Sequence, residues 1–353
     1  MRSTYLPEDV TILLKDITGL VQPLGTKERE ELIQKGTHYS EMLPFEYEPS
    51  ASYMEMYNKA VDLYSEITAD AVGAVAESIW AEKGSEAVLV SLARGGTSVG
   101  VLIKRYLKKK YNADVAHYTI SILRGRGIDD NAIKYILAHH KPEKIQFVDG
   151  WTGKGAIQRE LNRAMEKYQG VSSGLAVLSD PAYIAEKCGT HNDFLIASSC
   201  LNATVSGLLS RTFLRSDIIG ADDFHGAVFY EELKDKDYTY GFIEAVEKHF
   251  KLDSDYTATE LNPEEPHRSG IDEVIEIGKH FGIEDINLIK PSIGEATRVL
   301  LRRVPWKLLV HSTSDDKHLA HLYQLAVEKG VEVVEYPLKN YKACGLIRSI
   351  ADN

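Results

Sequence analysis

Two glycine-rich turns constrain this chain more than any other feature. Arg94-Gly95-Gly96-Thr97 follows the apolar run Ala87 to Ala93, and Asp149-Gly150-Trp151-Thr152-Gly153-Lys154-Gly155 follows Ile145 to Val148. Each turn opens a stretch with helical spacing of apolar residues, Val99 to Leu107 and Ile157 to Tyr168. A strand, a glycine turn and a helix start together aim unpaired N–H groups and the positive helix end at one point, which suits an anion such as phosphate. Two such turns about 55 residues apart point to a ligand with phosphate at both ends. The run Gly150 to Lys154 lacks the four intervening residues of a Walker loop, so that nucleotide motif is excluded.

The surrounding elements alternate. Helices are expected at 57–82, 98–110, 131–139, 156–167 and 203–211. Strands are expected at 87–91, 115–122, 145–148, 174–179 and 194–197. This predicts an α/β fold with a parallel sheet, helices on both faces and the ligand beyond the carboxyl ends of the strands. With 353 residues, 44% of them hydrophobic, the chain has material for at least two domains.

Charge divides it unevenly. Ten Lys or Arg stand against six Asp or Glu from 286 to 350, so this segment carries about +4 and the rest about −15 of the net −11. An acidic stretch with two prolines precedes it. The expected organisation is residues 1–252 with an N-terminal extension, a linker at 253–269, and a small C-terminal α/β sandwich at 270–353. In the last part, strands are expected at 286–289, 308–311 and 331–335, and helices at 294–303, 316–329 and 341–350. No run approaches the roughly 18 apolar residues of a membrane span, and no apolar signal segment follows Met1. Cys188, Cys200 and Cys344 stand at unrelated spacings, which argues for a reducing cytoplasm over a disulfide framework.

The first turn with its strand resembles the pyrophosphate loop of type I phosphoribosyltransferases, and Phe147 to Gly155 is similar to their phosphoribosyl pyrophosphate signature. The resemblance implies that Ala93, Gly95, Gly96 and Thr97 hold pyrophosphate, with Arg94 stabilising it as it leaves. Gly150, Trp151, Thr152, Gly153, Lys154 and Gly155 would take the 5′-phosphate. Asp149 would serve the ribose and Mg²⁺. Arg124 and Arg126, in Arg124-Gly125-Arg126-Gly127, stand where that family carries a mobile catalytic loop. Gly150 occupies the place of a second acid, which leaves open a protein that binds without catalysing.

The N-terminal part further resembles a bacterial phosphoribosyltransferase-like group of tellurite-resistance and stress operons, through Asp193 to Thr212. That group is also labelled cysteine protease StiP. The label makes Cys200 a candidate nucleophile, before an expected helix start at Asn202 and with His191 or His225 as base. The C-terminal segment resembles the Pelota-type RNA-binding domain through Ser292 to Arg298, with Gly294 where an Asn is usual. Lys290, Glu295, Thr297, Arg298 and Arg302 are its expected contacts with structured RNA. The expectation is a transferase that displaces pyrophosphate at ribose C1 with a base-like small molecule and is coupled to RNA, with no membrane partner and a homodimer left open. The alternatives are a cysteine protease using Cys200 and a non-catalytic phosphosugar sensor that gates RNA binding.

Overall fold

Alternating side-chain direction along each strand decides which residues form which core. In the strand Val88–Leu92, Leu89 packs into one apolar cluster while Val88, Val90 and Leu92 enter another on the opposite face. The structure, a computed structural model, describes residues 1–46, 49, 51–254, 256 and 269–347. The elements are β1 (Thr11–Ile12), α1 (Ala51–Lys83), β2 (Val88–Leu92), α2 (Gly95–Tyr111), β3 (Ala116–Ile120), α3 (Asp130–Leu137), β4 (Ile145–Trp151), α4 (Ala156–Met165), β5 (Leu175–Ser179), β6 (Lys187–Thr190) and α5 (Thr239–Glu247). The C-terminal domain adds α6 (Gly270–Phe281), β7 (Ile289–Pro291), α7 (Ile293–Arg302), β8 (Pro305–Val310), α8 (Asp316–Lys329), β9 (Glu332–Glu335) and β10 (Ala343–Ile347).

The larger sheet has six strands in the order β1-β3-β2-β4-β5-β6, every neighbouring pair parallel. Residues of α1, α2 and α5 share a core with Leu89, Val148 and Leu178, and those of α3 and α4 cover the other face. This is the expected α/β sheet with helices on both faces. The smaller sheet runs β7-β10-β8-β9, with β10 antiparallel to both its neighbours. Leu300, Leu308 and Leu322 of this domain join the same apolar cluster as α1 and α2. Among the described residues, no helix is long and apolar enough to cross a membrane.

Several expected elements are corrected. The helix expected at 341–350 is not formed over 341–347, where Ala343–Ile347 is instead a fully buried strand paired on both sides; 348–350 lie outside the described residues. Its continuous apolar run suits the centre of a sheet. Residues 194–197 form no strand; β6 takes the edge place instead. The expected helix at 203–211 is one 3-10 turn, Ala203–Val205, because Gly207 and Leu208 take left-handed φ values of 70° and 57°. The strand expected at 145–148 runs on to Trp151, so Asp149 is a strand residue. Most of the expected 253–269 linker lies outside the described residues.

One close approach fixes the first turn. A Cβ on Gly96 would stand 2.5 Å from the Val148 carbonyl oxygen, whereas one on Gly95 would meet only Asp149 Oδ1 at 3.8 Å. Gly96→Ala should therefore cost about 1–3 kcal/mol in urea denaturation through overpacking, and Gly95→Ala much less. Equal losses from the two substitutions would contradict this packing.

Candidate functional site

The carboxyl ends of β2 and β4 open into a cavity of about 440 Å³. Arg94 and Gly95 line it from the first turn, Gly153 to Gly155 from the second, and Asp149 and Trp151 from β4. Segment 198–212 lines it as well. So do Lys290, Pro291, Glu295 and Arg298 of the C-terminal domain. Three of the expected turn residues stay outside the lining: Gly150 is buried within β4, Gly96 is pressed on β4, and the Thr97 hydroxyl is bonded to that of Thr119 at 2.7 Å.

Both turns present donors. The N–H groups of Arg94, Gly95 and Gly96 and those of Gly153, Lys154 and Gly155 have no hydrogen-bond partner among the described residues. They sit at the N-termini of α2 and α4, where the helix dipole favours negative charge. Gly155 makes the second turn through its left-handed φ of 76°. The Thr152 side chain is committed elsewhere: its hydroxyl donates to the Asp180 carboxylate, and its N–H donates to Ser179 O at 3.0 Å.

Cations outnumber acids around the cavity. Arg94 donates to Leu209 O at 2.8 Å and to Asn202 Oδ1 at 2.9 Å, with Glu46 at 3.9 Å. Arg211, which sequence reasoning missed, donates to Tyr39 O and Met42 O and has no carboxylate partner among the described residues. Its Nε is buried and without a hydrogen bond. Burial, reinforced by Arg29 and Arg94, brings its pKa down to about 10. Only its place in the segment Asp193 to Thr212 hinted at it. Burial also lowers Lys154 to about 8, with Lys290 and Arg124 adding repulsion. Arg124 lines the cavity and reaches Asn287 Oδ1 at 3.4 Å, while Arg126 pairs with Glu41 and does not line it.

The C-terminal domain closes the cavity on one side. Lys154 Nζ donates to Ile289 O at 3.0 Å, and Tyr341 donates to Gly153 O at 2.5 Å. The Arg298 guanidinium lies 4.5 Å from the Trp151 ring centroid and 3.2 Å from Glu295. Thr297 is fully buried, donating to Ile293 O at 2.7 Å. Three of the expected RNA contacts, Lys290, Glu295 and Arg298, are thus turned toward the larger domain, whereas the Thr297 hydroxyl faces His321 of its own domain at 3.1 Å. Arg302 ends α7, and its side chain lies outside the described residues.

Cys200 is 2% exposed, and only the one 3-10 turn follows it. Neither histidine bonds to it. His225 Nδ1 meets Ser121 Oγ at 2.8 Å, and His191 Nε2 stands 3.5 Å from Cys188 Sγ. His191 Nδ1 is 2.7 Å from Asp180 O, an arrangement that leaves Nε2 facing the thiol. Asp180, Cys188 and His191 also cluster closely enough for a metal, but the Asp180 carboxylate already accepts from Thr152, Ile184 N–H and Ala185 N–H.

Asp149 is the acid at the cavity floor, and it accepts from Gly150 N–H at 2.8 Å. Burial pushes its pKa up to about 6 from 3.8, against the opposing pull of that bond and of Arg298. Between those values the folded protein holds a proton that the unfolded chain releases, so stability declines as pH rises through about 6. Asp149→Asn keeps the acceptor oxygen and removes the charge. It should raise stability by on the order of 3 kcal/mol at about pH 8 and leave it unchanged at about pH 4. Thermal melts across pH test this, and a pH-independent effect would contradict the buried carboxylate.

The chain is similar to known proteins in sequence and, in part, in fold. Residues 3–247 match a family model described as tellurite-like stress resistance cysteine protease StiP, and 268–349 match the PELOTA RNA binding domain. The "Cysteine protease StiP" of Acinetobacter baylyi is 36% identical, with 98% of this chain and 94% of that protein covered. Among solved structures, the xanthine-guanine-hypoxanthine phosphoribosyltransferase of Helicobacter pylori is 16% identical at a TM-score of 0.25, covering 39% of this chain and 76% of its own. A hypoxanthine-guanine phosphoribosyltransferase of Bacillus anthracis is 17% identical at 0.26, covering 35% and 71%.

Proposed function

The chain belongs to the StiP family and ends in a Pelota RNA-binding domain, and from that premise we propose that its cavity binds phosphoribosyl pyrophosphate and transfers the phosphoribosyl group. One observation carries the reading. Two turns with unpaired N–H groups line a single cavity that also holds Arg211, its Nε buried and its guanidinium without a carboxylate partner among the described residues. The pyrophosphate would sit on the Arg94 turn near Arg211, and the 5′-phosphate on Gly153 to Gly155. A nitrogen of a base-like acceptor attacks ribose C1 and the C1–O bond breaks. Its electron pair leaves on pyrophosphate, and the acceptor proton goes to solvent. Arg94, Arg211 and the turn amides stabilise the leaving charge, and ionised Asp149 steadies the cationic sugar.

The donor set fits Mg²⁺ in one way. Asp149 supplies a single carboxylate beneath the ribose position, since Glu295 is paired with Arg298. One carboxylate plus ligand phosphates is a usual arrangement for this ion. Bound there, Mg²⁺ would neutralise pyrophosphate charge. RNA enters the proposal through geometry. Arg298 and Lys290 reach an RNA only when the domain lifts off Trp151, so phosphoribosyl pyrophosphate and RNA oppose each other.

Phosphoribosyl pyrophosphate with Mg²⁺ should raise the melting temperature, by about 2.7 kcal/mol of stabilisation at a hundredfold excess over Kd. Arg211→Gln and Asp149→Asn should remove most of the shift. In the same mixture structured RNA should bind more weakly than without the ligand. No shift in wild type at millimolar ligand would overturn the reading. Pyrophosphate release with a panel of nucleobases then tests transfer.

A second reading, proteolysis, has one foothold in the Cys188–His191 pair. Burial pushes the Cys188 thiol up to about 12, away from the thiolate a nucleophile needs. Iodoacetamide near neutral pH should therefore alkylate Cys188 and Cys200 slowly. Rapid alkylation at either, with peptide cleavage lost on its replacement by Ala, would favour the protease.

A further inference from the structure

We propose that Lys290, Arg298 and Ser199 form an anion subsite at the domain junction, and that it holds the phosphomonoester end of a sugar phosphate. The inference rests on the phosphosugar reading of the cavity and assigns part of that site to the C-terminal domain. Lys290 projects from β7 into the cavity lining and makes no side-chain hydrogen bond or ion pair among the described residues. Burial lowers its pKa against the pull of Glu295 and Asp285, and Arg124 and Arg303 repel it further. A half-buried ammonium without a hydrogen-bond or ion-pair partner is costly, so this position favours an anion.

Two further buried donors point the same way. Arg298 Nε has no hydrogen-bond partner, although its guanidinium is held against Trp151. Ser199 Oγ is also unpartnered, in a residue only 2% exposed. Its hydroxyl would lie 3.6 Å from a Cβ on Gly294, which places it at the start of α7. The second turn abuts the same surface: a Cβ on Gly153 would lie 3.7 Å from Glu295 Cγ and 3.8 Å from Pro291 O. A phosphomonoester dianion carries enough acceptor oxygens for the ammonium, the guanidinium, the hydroxyl and the free turn amides together. Glu295 is paired with Arg298 and only attracts Lys290 from a distance, so the Lys290 ammonium keeps its donors for a ligand. The bound phosphate would then bridge the two domains.

The test is calorimetric titration of the full chain with ribose 5-phosphate and, separately, with pyrophosphate. Lys290→Ala should weaken ribose 5-phosphate at least about tenfold, as expected for one charge-assisted bond, and leave pyrophosphate within about twofold. Arg298→Lys, which keeps the charge but loses the planar stack, should also weaken ribose 5-phosphate. Arg211→Gln should do the reverse, weakening pyrophosphate. If both junction variants bind ribose 5-phosphate as wild type does, the subsite is overturned while the phosphosugar reading stands. Wild type that binds pyrophosphate alone likewise overturns only the subsite. Wild type that binds neither probe overturns both.

Discussion

Asp193 holds the two halves of this molecule in their working arrangement. Its carboxylate, fully buried, accepts the Ile293 N–H at 3.1 and 3.0 Å and the Lys342 N–H at 2.9 Å. One side chain of the larger domain therefore pins both the start of α7 and the approach to β10. Burial pushes its pKa up to about 7 despite these bonds. The positive end of α7 compensates part of the cost of that charge. Asn340 Nδ2 on Pro181 O at 2.9 Å and Gly270 N–H on Ala182 O at 2.9 Å extend the seam. Lys290, Glu295 and Arg298 line the cavity because this seam places them there.

The electrostatics of the cavity oppose those of the molecule. The chain carries a net −11, yet six cations from both domains, Arg94, Arg124, Arg211, Lys154, Lys290 and Arg298, stand around one pocket with few acids. Several are partly or wholly desolvated, and Arg211 and Lys290 lack a carboxylate partner among the described residues. Such an arrangement weakens the empty protein and strengthens its hold on an anion, since the charges are already fixed when the ligand arrives. The raised pKa of Asp149 belongs to the same balance. In the proposed transfer that acid would steady a developing positive sugar, at a cost to stability above about pH 6.

Much of this is legible in the sequence because it is local. Strand, glycine turn and helix occupy contiguous residues, so both amide-bearing turns and the α/β alternation can be read directly. Asp129 caps α3 within the same local stretch, accepting from Asn131 N–H and Ala132 N–H at 3.1 Å. What escapes is set by distant contacts. Ala343–Ile347 reads as a strand only beside β7 and β8, and Arg211 becomes a site residue through the fold of an irregular segment. Thr152 is expected to hold phosphate, but Asp180 is hydrogen-bonded to its hydroxyl. The basic residues after 286 read as a surface for RNA. Their charge is plain, but no spacing announces that α7 faces inward.

Everything proposed for this site depends on one phosphosugar occupying a cavity built by both domains. A crystal structure with phosphoribosyl pyrophosphate and Mg²⁺ tests that most directly. It should show pyrophosphate on the Arg94 turn within reach of Arg211, ribose over Asp149, and the 5′-phosphate within hydrogen-bond distance of Lys290 Nζ. Arg298 should remain stacked on Trp151. Ligand bound outside this cavity, or a 5′-phosphate contacting only the larger domain, would contradict the shared site.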